Sequence, residues 1–168
     1  MQRKVSSVNL GTSVYNLNRD ICFSKVIWDN GAEIGVDGNR VLYFNSLKRV
    51  IDDGRLKLNI QNWDWYQTFG FDTAQGDNGE ILKVTGTKTV LIEMKDNSQG
   101  QFMKLELITN KGPVELWIRH PQPGIVVFSV KDNVYSAALP AGITEIYKVQ
   151  FVGQMDELAV DIGSITFQ

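Results

Sequence analysis

The chain has one cysteine, one histidine and four prolines among its 168 residues, and these scarcities exclude whole classes of protein. Cys22 has no cysteine partner within the chain, so the folded state must be stabilised by packing. Zinc sites built from cysteine and histidine need more such ligands than this chain contains. A Ser/His/Asp or Cys/His catalytic arrangement would have to use His120, which precedes Pro121 at a predicted strand end. We therefore predict a surface turn at His120 and no enzymatic activity.

Long hydrophobic runs and an excess of one charge are also missing. No apolar run approaches the ~20 residues of a membrane helix, and the N-terminal MQRKVSSVNLGTSVYN has no apolar core behind its basic residues. We expect neither a signal peptide nor a membrane span.

The 17 basic and 19 acidic residues give a net charge of −2 without a basic run, which argues against a nucleic-acid partner. No repeat or linker divides the chain, so residues 1–168 are expected to form one domain.

The chain does contain a regular succession of turn signals and β-branched runs. Pairs such as Asp-Gly, Asn-Gly and Pro-Gly recur about every 8 to 15 residues, the spacing of a β-sandwich or barrel. The runs between them predict about ten strands, at residues 21–28, 41–44, 56–60, 63–71, 89–94, 102–108, 114–120, 125–130, 146–152 and 158–167. We predict an all-β fold, an antiparallel β-sandwich of jelly-roll type.

Three local patterns predict details of this fold. Residues 45–51 place apolar side chains at helical spacing behind a capping residue, which predicts one short helix at most. Residues 33–44 predict a hairpin, because Asp37-Gly38 supplies the positive φ that tight turns demand. In the last predicted strand the apolar positions change phase across Gly163, which predicts a glycine bulge.

The strand at residues 114–120 carries the strongest candidate for a contact site. Its aliphatic residues alternate with polar and aromatic ones: Val114, Leu116 and Ile118 against Glu115, Trp117 and Arg119. Successive side chains of a strand point to opposite faces, so burial of the aliphatic set leaves Trp117 outward between two charges. An outward Trp flanked by ions predicts contact with a ligand or another protein. The alternative is that a loop, a small helix or another copy of the chain covers the ring.

The segment Trp63-Asp64-Trp65-Tyr66 is the densest aromatic cluster, and it allows two interpretations. An unbroken strand in phase with the leucines before it would expose Trp63 and Trp65. A turn at residues 61–62 would instead bury both rings, in phase with the two phenylalanines that follow. We keep Trp63, Trp65 and Tyr66 as candidate contact residues and leave the orientation of the two indoles open.

The glycine-rich loop at residues 72–80 contains three carboxylates, Asp72, Asp77 and Glu80, which are compatible with calcium. Their spacing does not match the twelve-residue EF-hand loop. Solvated turn residues are the alternative interpretation. We predict no cofactor and keep structural calcium as the alternative.

Residues 139–167, read L-P-A-G-I-T-E-I-Y-K-V-Q-F-V-G-Q-M-D-E-L-A-V-D-I-G-S-I-T-F, resemble the end of a jelly-roll carbohydrate-binding module. In such modules a small-residue turn precedes a strand ending in aromatic-Val/Thr-Gly, and the final strand closes with D-x-I/F-x-F. The resemblance implies sugar-stacking aromatics, here matched by Trp117, Trp63 and Trp65, with Arg119 as a polar partner. Jelly rolls of this size also occur in phage heads, fibres and tails.

These patterns rank three classes of function. The first is a non-catalytic virion component, such as a phage capsid decoration, fibre or tail accessory, which assembles in the host cytoplasm. It would dock on other subunits or on copies of itself through a polar sheet face with exposed aromatics. The second is an extracellular carbohydrate-binding module that recognises a plant or bacterial polysaccharide by Trp stacking. A hydrolase comes third, because its general acid and base candidates are unpaired in the sequence.

Overall fold

The computed structural model describes residues 7–10, 13–16, 21–22, 26–29, 32–36, 41–44, 50–52, 55–72 and 81–168, with side chains at 55–70 and 81–168. Every regular element in these ranges is a strand, and all paired strands are antiparallel. The strands are β1 Ser7–Leu10, β2 Ser13–Asn16, β3 Ile21–Cys22, β4 Val26–Asp29, β5 Ala32–Val36, β6 Val41–Phe44, β7 Val50–Asp52, β8 Arg55–Trp63, β9 Phe69–Asp72, β10 Leu82–Lys83, β11 Thr89–Asp96, β12 Phe102–Thr109, β13 Gly112–Arg119, β14 Ser129–Lys131, β15 Val134–Ala138 and β16 Glu145–Phe167.

Strand β16 organises the structure, because its 23 residues carry partners along their whole length. Residues 145–154 pair with β12, β9 and β10, and β13 and β6 extend this first half of the sheet. Residues 155–167 pair with β8, β11 and β3, and β7, β15 and β14 extend the second half. Together they form one twelve-stranded, curled sheet, beside two separate pairs, β1–β2 and β4–β5.

One hydrophobic cluster fills the inside of the curl with side chains from both halves of the sheet. Burial alternates residue by residue along β11 and β12, as the period of a strand with one buried face requires. The buried hydrophobic members of these two strands are Val90, Ile92, Met94, Met103, Leu105 and Leu107. The outward positions of β12 therefore form a solvent-facing surface, and the candidate site is built on it.

The glycine bulge predicted in the last strand is confirmed. Glu93 of β11 pairs with Ser164 and its neighbour Met94 pairs with Ile162, so Gly163 is the extra residue in β16. The bulge changes which side chains of the strand face the core. Ile162 and Ile165 are three positions apart and would point to opposite faces of a regular strand, yet both are fully buried.

A second glycine lies where β16 passes from one half of the sheet to the other. Gly153 pairs with Met103 of β12. An added Cβ there would lie 2.2 Å from the carbonyl oxygen of Phe102 and 2.6 Å from a ring atom of Trp63. Only a residue without a side chain fits between these groups.

Arg55 joins three neighbouring strands over the Gly163 bulge. Its guanidinium donates to Glu93 of β11 and to Asp161 of β16. Burial alone would lower the pKa of Arg55, but the hydrogen bonds to the two carboxylates outweigh it and raise that pKa above its ordinary value.

The fold confirms the all-β antiparallel class, with more strands than the roughly ten expected. The predicted helix is wrong at Val50 and Ile51, which belong to β7, and residues 45–49 lie outside the described ranges. Pairing with β8 favours an extended backbone there, although the apolar residues of the segment are at helical spacing.

The predicted strand at residues 63–71 is interrupted by a turn at residues 64–68. Strands β5 and β6 of the predicted hairpin form, but they pair with β4 and β9.

Candidate functional site

Trp117 lies on the outer face of the β12–β13 hairpin, as the alternation of β13 predicts. Its partner across the ladder is Lys104, whereas Leu105 and Leu107 face the core opposite Leu116 and Val114. The Nζ of Lys104 lies 5.4 Å from the centre of the Trp117 ring, within the range of a cation–π contact. The ring is half-buried and is not part of the core cluster.

The loop at residues 121–128 contacts the backbone of Trp117. Val127 forms a single bridge with Trp117, and the amide of Phe128 donates to the Trp117 carbonyl at 2.9 Å. These contacts lie along the backbone edge of β13. They fix the position of Trp117 at the end of the hairpin.

Four rings from three parts of the chain form a continuous row, which we call the aromatic strip: Trp65, Phe102, Trp117 and His120. The ring centres are 5.7 Å apart for Trp65 and Phe102, 6.4 Å for Phe102 and Trp117, and 4.6 Å for Trp117 and His120. All three distances fall in the range of favourable aromatic pairs. The strip therefore holds Trp117 and Trp65 in one arrangement, although more than 50 residues separate them in sequence.

The two indoles of the Trp63–Tyr66 cluster have opposite environments, so each interpretation is right for one of them. Trp63 is 1% exposed and donates its indole N–H to the carbonyl of Gln67, whereas Trp65 is 39% and Tyr66 63% exposed. Asn62 has a positive φ of 55° at the end of β8. This left-handed residue changes the phase of the strand and turns Trp63 inward. Trp63 is therefore a core residue and not a contact residue, and of the two indoles whose orientation the sequence leaves open only Trp65 faces solvent.

Arg119 does not lie beside Trp117 on the outer face as predicted. Trp117 pairs with Lys104 while Arg119 pairs with Met103, so Ile118 is a bulge residue that changes the phase of β13. The guanidinium of Arg119 turns to Asp96 at the end of β11, with Nη2 at 2.9 Å from a carboxylate whose side chain is 1% exposed. Arg119 therefore links the two halves of the sheet, and its charge is compensated.

A charge network surrounds the Trp117 side of the strip. Lys104 forms ion pairs with Glu115 and Glu106, and Gln150 of β16 donates to Glu106 at 2.6 Å. Burial alone would lower the pKa of Lys104, but its hydrogen bonds to Glu115 and Glu106 raise that pKa above its ordinary value. Lys104 therefore keeps its positive charge at physiological pH. Glu115 lies on the outer face where the sequence predicts it, half-exposed beside Trp117.

A polar groove of about 740 Å³ adjoins the strip at Phe102. It runs along the point where β16 passes between the two halves, against the end of β8 and the turn before β12. Its wall combines amide and carboxylate side chains with two rings: Asn62, Gln99, Gln101, Asp156, Trp63 and Phe102. Amides and carboxylates offer both donors and acceptors, so the groove is suited to a ligand rich in hydroxyl groups.

Phe102 and His120 belong to the strip but are not among the contact residues predicted from the sequence. Phe102 could have been found, because Met103, Leu105 and Leu107 face inward and leave Phe102 and Lys104 outward. His120 could not, because its position depends on the Ile118 bulge. Its Nδ1 accepts a hydrogen bond from the amide of Gln122, which confirms the predicted turn and holds the ring edge-on against Trp117.

An apolar patch lies on the other side of Trp117, on residues 125–130. Ile125, Val126, Val127 and Val130 are all exposed, with Val126 at 88%. A depression of about 430 Å³ next to the patch is lined mainly by apolar residues, Trp117 and Phe128 among them, with Glu115, Ser129 and Ser136 as its polar members. Apolar side chains grouped in this way commonly mark contact surfaces of proteins.

No group of three or more His, Cys, Asp or Glu in the described ranges could hold a metal ion. Of the calcium candidates, Asp72 ends β9, while Asp77 and Glu80 lie outside the described residues. None of the described segments is a helix long and apolar enough to cross a membrane.

Comparisons with known proteins add no family to these observations. No protein-family model matches the sequence, and a search of curated proteins finds no similar one. The functional conclusions therefore depend on the geometry of the strip, the groove and the patch.

Proposed function

We propose that this protein is a non-catalytic module that binds polysaccharide chains along the aromatic strip. The observation that carries the proposal is the row of four partly exposed rings, which runs from the turn after β8 across the outer face of β12 and β13 to His120. The C–H faces of pyranose rings stack on aromatic faces, and polar groups beside them exchange hydrogen bonds with sugar hydroxyls. Both elements are present, since Lys104 and Glu115 lie next to Trp117 and Trp65 is exposed at the other end.

The surroundings of the chain's single histidine favour binding over catalysis. His120 packs against Trp117 and Phe102, and its Nδ1 accepts a hydrogen bond from the amide of Gln122, so the ring serves the structure of the strip. We also propose a jelly-roll sandwich for the complete fold. The single core that both halves share is typical of two packed sheets, and residues 139–167 resemble the end of such a module.

Sequence reasoning ranks a virion component above a carbohydrate-binding module, and the geometry favours the reverse order. The polar groove continues the aromatic strip, so rings and hydroxyl-binding groups form one surface. A surface that served only to dock a protein would have no need of an open polar groove beside it. This function implies an extracellular location, where plant or bacterial polysaccharides are found.

Replacement of Trp117 by alanine tests the proposal. We expect xyloglucan, xylan or mannan to retard the wild-type protein in affinity gels, and Trp117→Ala to reduce the affinity at least about tenfold, since truncation of a Trp that dominates a binding surface costs about 2 kcal/mol or more. Tyr147→Ala is the matched control, because Tyr147 lies near the Thr109 end of β12, far from Phe102. Binding that survives Trp117→Ala, or the absence of retardation by every neutral polysaccharide, would refute the proposal.

The apolar patch favours a second candidate function, a subunit of a larger particle such as a phage virion. Four exposed aliphatic residues within six positions lie next to β14, whose only strand partner among the described strands is β15. Apolar side chains and an open sheet edge are features that subunit interfaces cover. Polysaccharide binding and assembly use different surfaces, so each can be tested without the other.

For this candidate we expect mass photometry to show oligomers that Val126→Asp dissociates, because a charge in an apolar interface loses its hydration. Gln168→Asp is the control, since it adds the same charge to an exposed residue at the end of β16. A wild-type protein that stays monomeric at every concentration would exclude the second candidate.

A further inference from the structure

The polar groove has side chains that are not used by the fold. Asn62, Gln99, Gln101 and Asp156 are exposed, and their side chains form no hydrogen bond or ion pair with any described residue. Gln99 contributes to the structure only through its backbone, which exchanges hydrogen bonds with Glu157 at 2.8 and 3.1 Å. These four side chains are therefore free to bind a ligand without loss of an internal contact.

The charges of the groove are not balanced. Asp64 and Asp156 line it as carboxylates, while the one basic residue among the described residues of its wall, Arg119, is paired with Asp96. Asp64 accepts hydrogen bonds from Gln154 and from the amide of Trp65, which fixes it in the wall. An anionic ligand in the groove would meet two like charges and a cation whose charge is already compensated.

We infer that the polar groove is a subsite for uncharged sugar residues, and that it makes the protein select neutral polysaccharides over those built from uronic acids. This inference rests on the proposed function. The amides of Gln99 and Gln101 donate to and accept from sugar hydroxyls, and the carboxylate of Asp156 accepts from them. Phe102 belongs to both surfaces, so a chain stacked on the aromatic strip extends into the groove without a break.

The first test removes the free amides. We expect the double variant Gln99→Ala/Gln101→Ala to bind galactomannan about tenfold more weakly, since the hydrogen bonds of both amides to sugar hydroxyls are lost. Gln168→Ala removes an exposed amide just beyond the C-terminal end of β16, outside the groove, and should bind like the wild type. Circular dichroism establishes that each variant is folded, which the exposure of the replaced side chains leads us to expect.

The second test concerns charge. At low ionic strength we expect the wild type to bind galactomannan and not polygalacturonate, and Asp156→Asn to raise the affinity for polygalacturonate relative to that for galactomannan. Salt should weaken this discrimination, because the groove is open to solvent and its charges are screened.

The outcomes separate the two proposals. The inference is overturned while the proposed function stands if Trp117→Ala abolishes binding but the double variant binds galactomannan like the wild type. Polygalacturonate bound as tightly as galactomannan would also overturn it. A wild type that binds no polysaccharide overturns both.

Discussion

Trp63→Ala is expected to lower the free energy of unfolding by about 3–5 kcal/mol, the usual loss when a buried Trp or Phe is truncated. Trp63 is 1% exposed, and its ring centre lies 6.3 Å from that of Phe69. The substitution leaves a cavity in the core and removes the indole N–H that donates to the carbonyl of Gln67. Urea denaturation followed by far-UV circular dichroism measures the loss.

Trp65→Ala is the matched control, since the same side chain is removed two positions along the chain. Trp65 is 39% exposed and its ring contacts that of Phe102. Its replacement should cost no more than about 1.5 kcal/mol, the upper range for one aromatic pair, and should weaken polysaccharide binding. Equal losses of stability in the two variants would contradict the assignment of Trp63 to the core and Trp65 to the surface.

Gly153→Ala is expected to lower the free energy of unfolding by about 1–3 kcal/mol or more, because overpacking strains a well-packed site. The added Cβ would lie 2.2 Å from the Phe102 carbonyl oxygen, and that atom belongs to the β12 backbone. The backbone cannot move away without disturbing the pairing of Met103 with Gly153. The ring of Trp63, 2.6 Å away, is fixed in the core.

Gly163→Ala makes the same chemical change at the bulge and should be milder. There the Cβ would lie 2.3 Å from a carboxylate oxygen of Glu93 and 2.7 Å from Nη1 of Arg55. Both atoms are at the ends of flexible, partly exposed side chains that can rotate away. Denaturation of the two variants under identical conditions gives the comparison, and a larger loss for Gly163→Ala would refute this account of the two glycines.

Alternation of side chains predicts the parts of the fold that depend on neighbours in sequence. It places Trp117 and Glu115 on the outer face of β13, and the change of phase at Gly163 is enough to identify the bulge. Both conclusions need only the two-residue period of a strand and the apolar character of the core. Phe102 follows from the same rule applied to β12.

The rest of the site depends on contacts and backbone angles that no local pattern encodes. The side chain of Arg119 does not lie on the outer face, because Ile118 forms a bulge and because the guanidinium donates to Asp96 at the end of β11. Trp63 turns inward because Asn62 adopts a positive φ. Asn tolerates that conformation better than most residues, but its presence in a sequence does not show that the conformation is adopted.

The length of β16 has a consequence for the nascent chain. Residues 145–167 supply the pairing partner of β8, β9, β11 and β12, so a ribosome must complete them before either half of the sheet can close. Contacts between residues this far apart in sequence make folding slow, and unpaired strands invite aggregation during the delay. Until translation has passed that point, the preceding strands have unpaired edges that can associate with other chains.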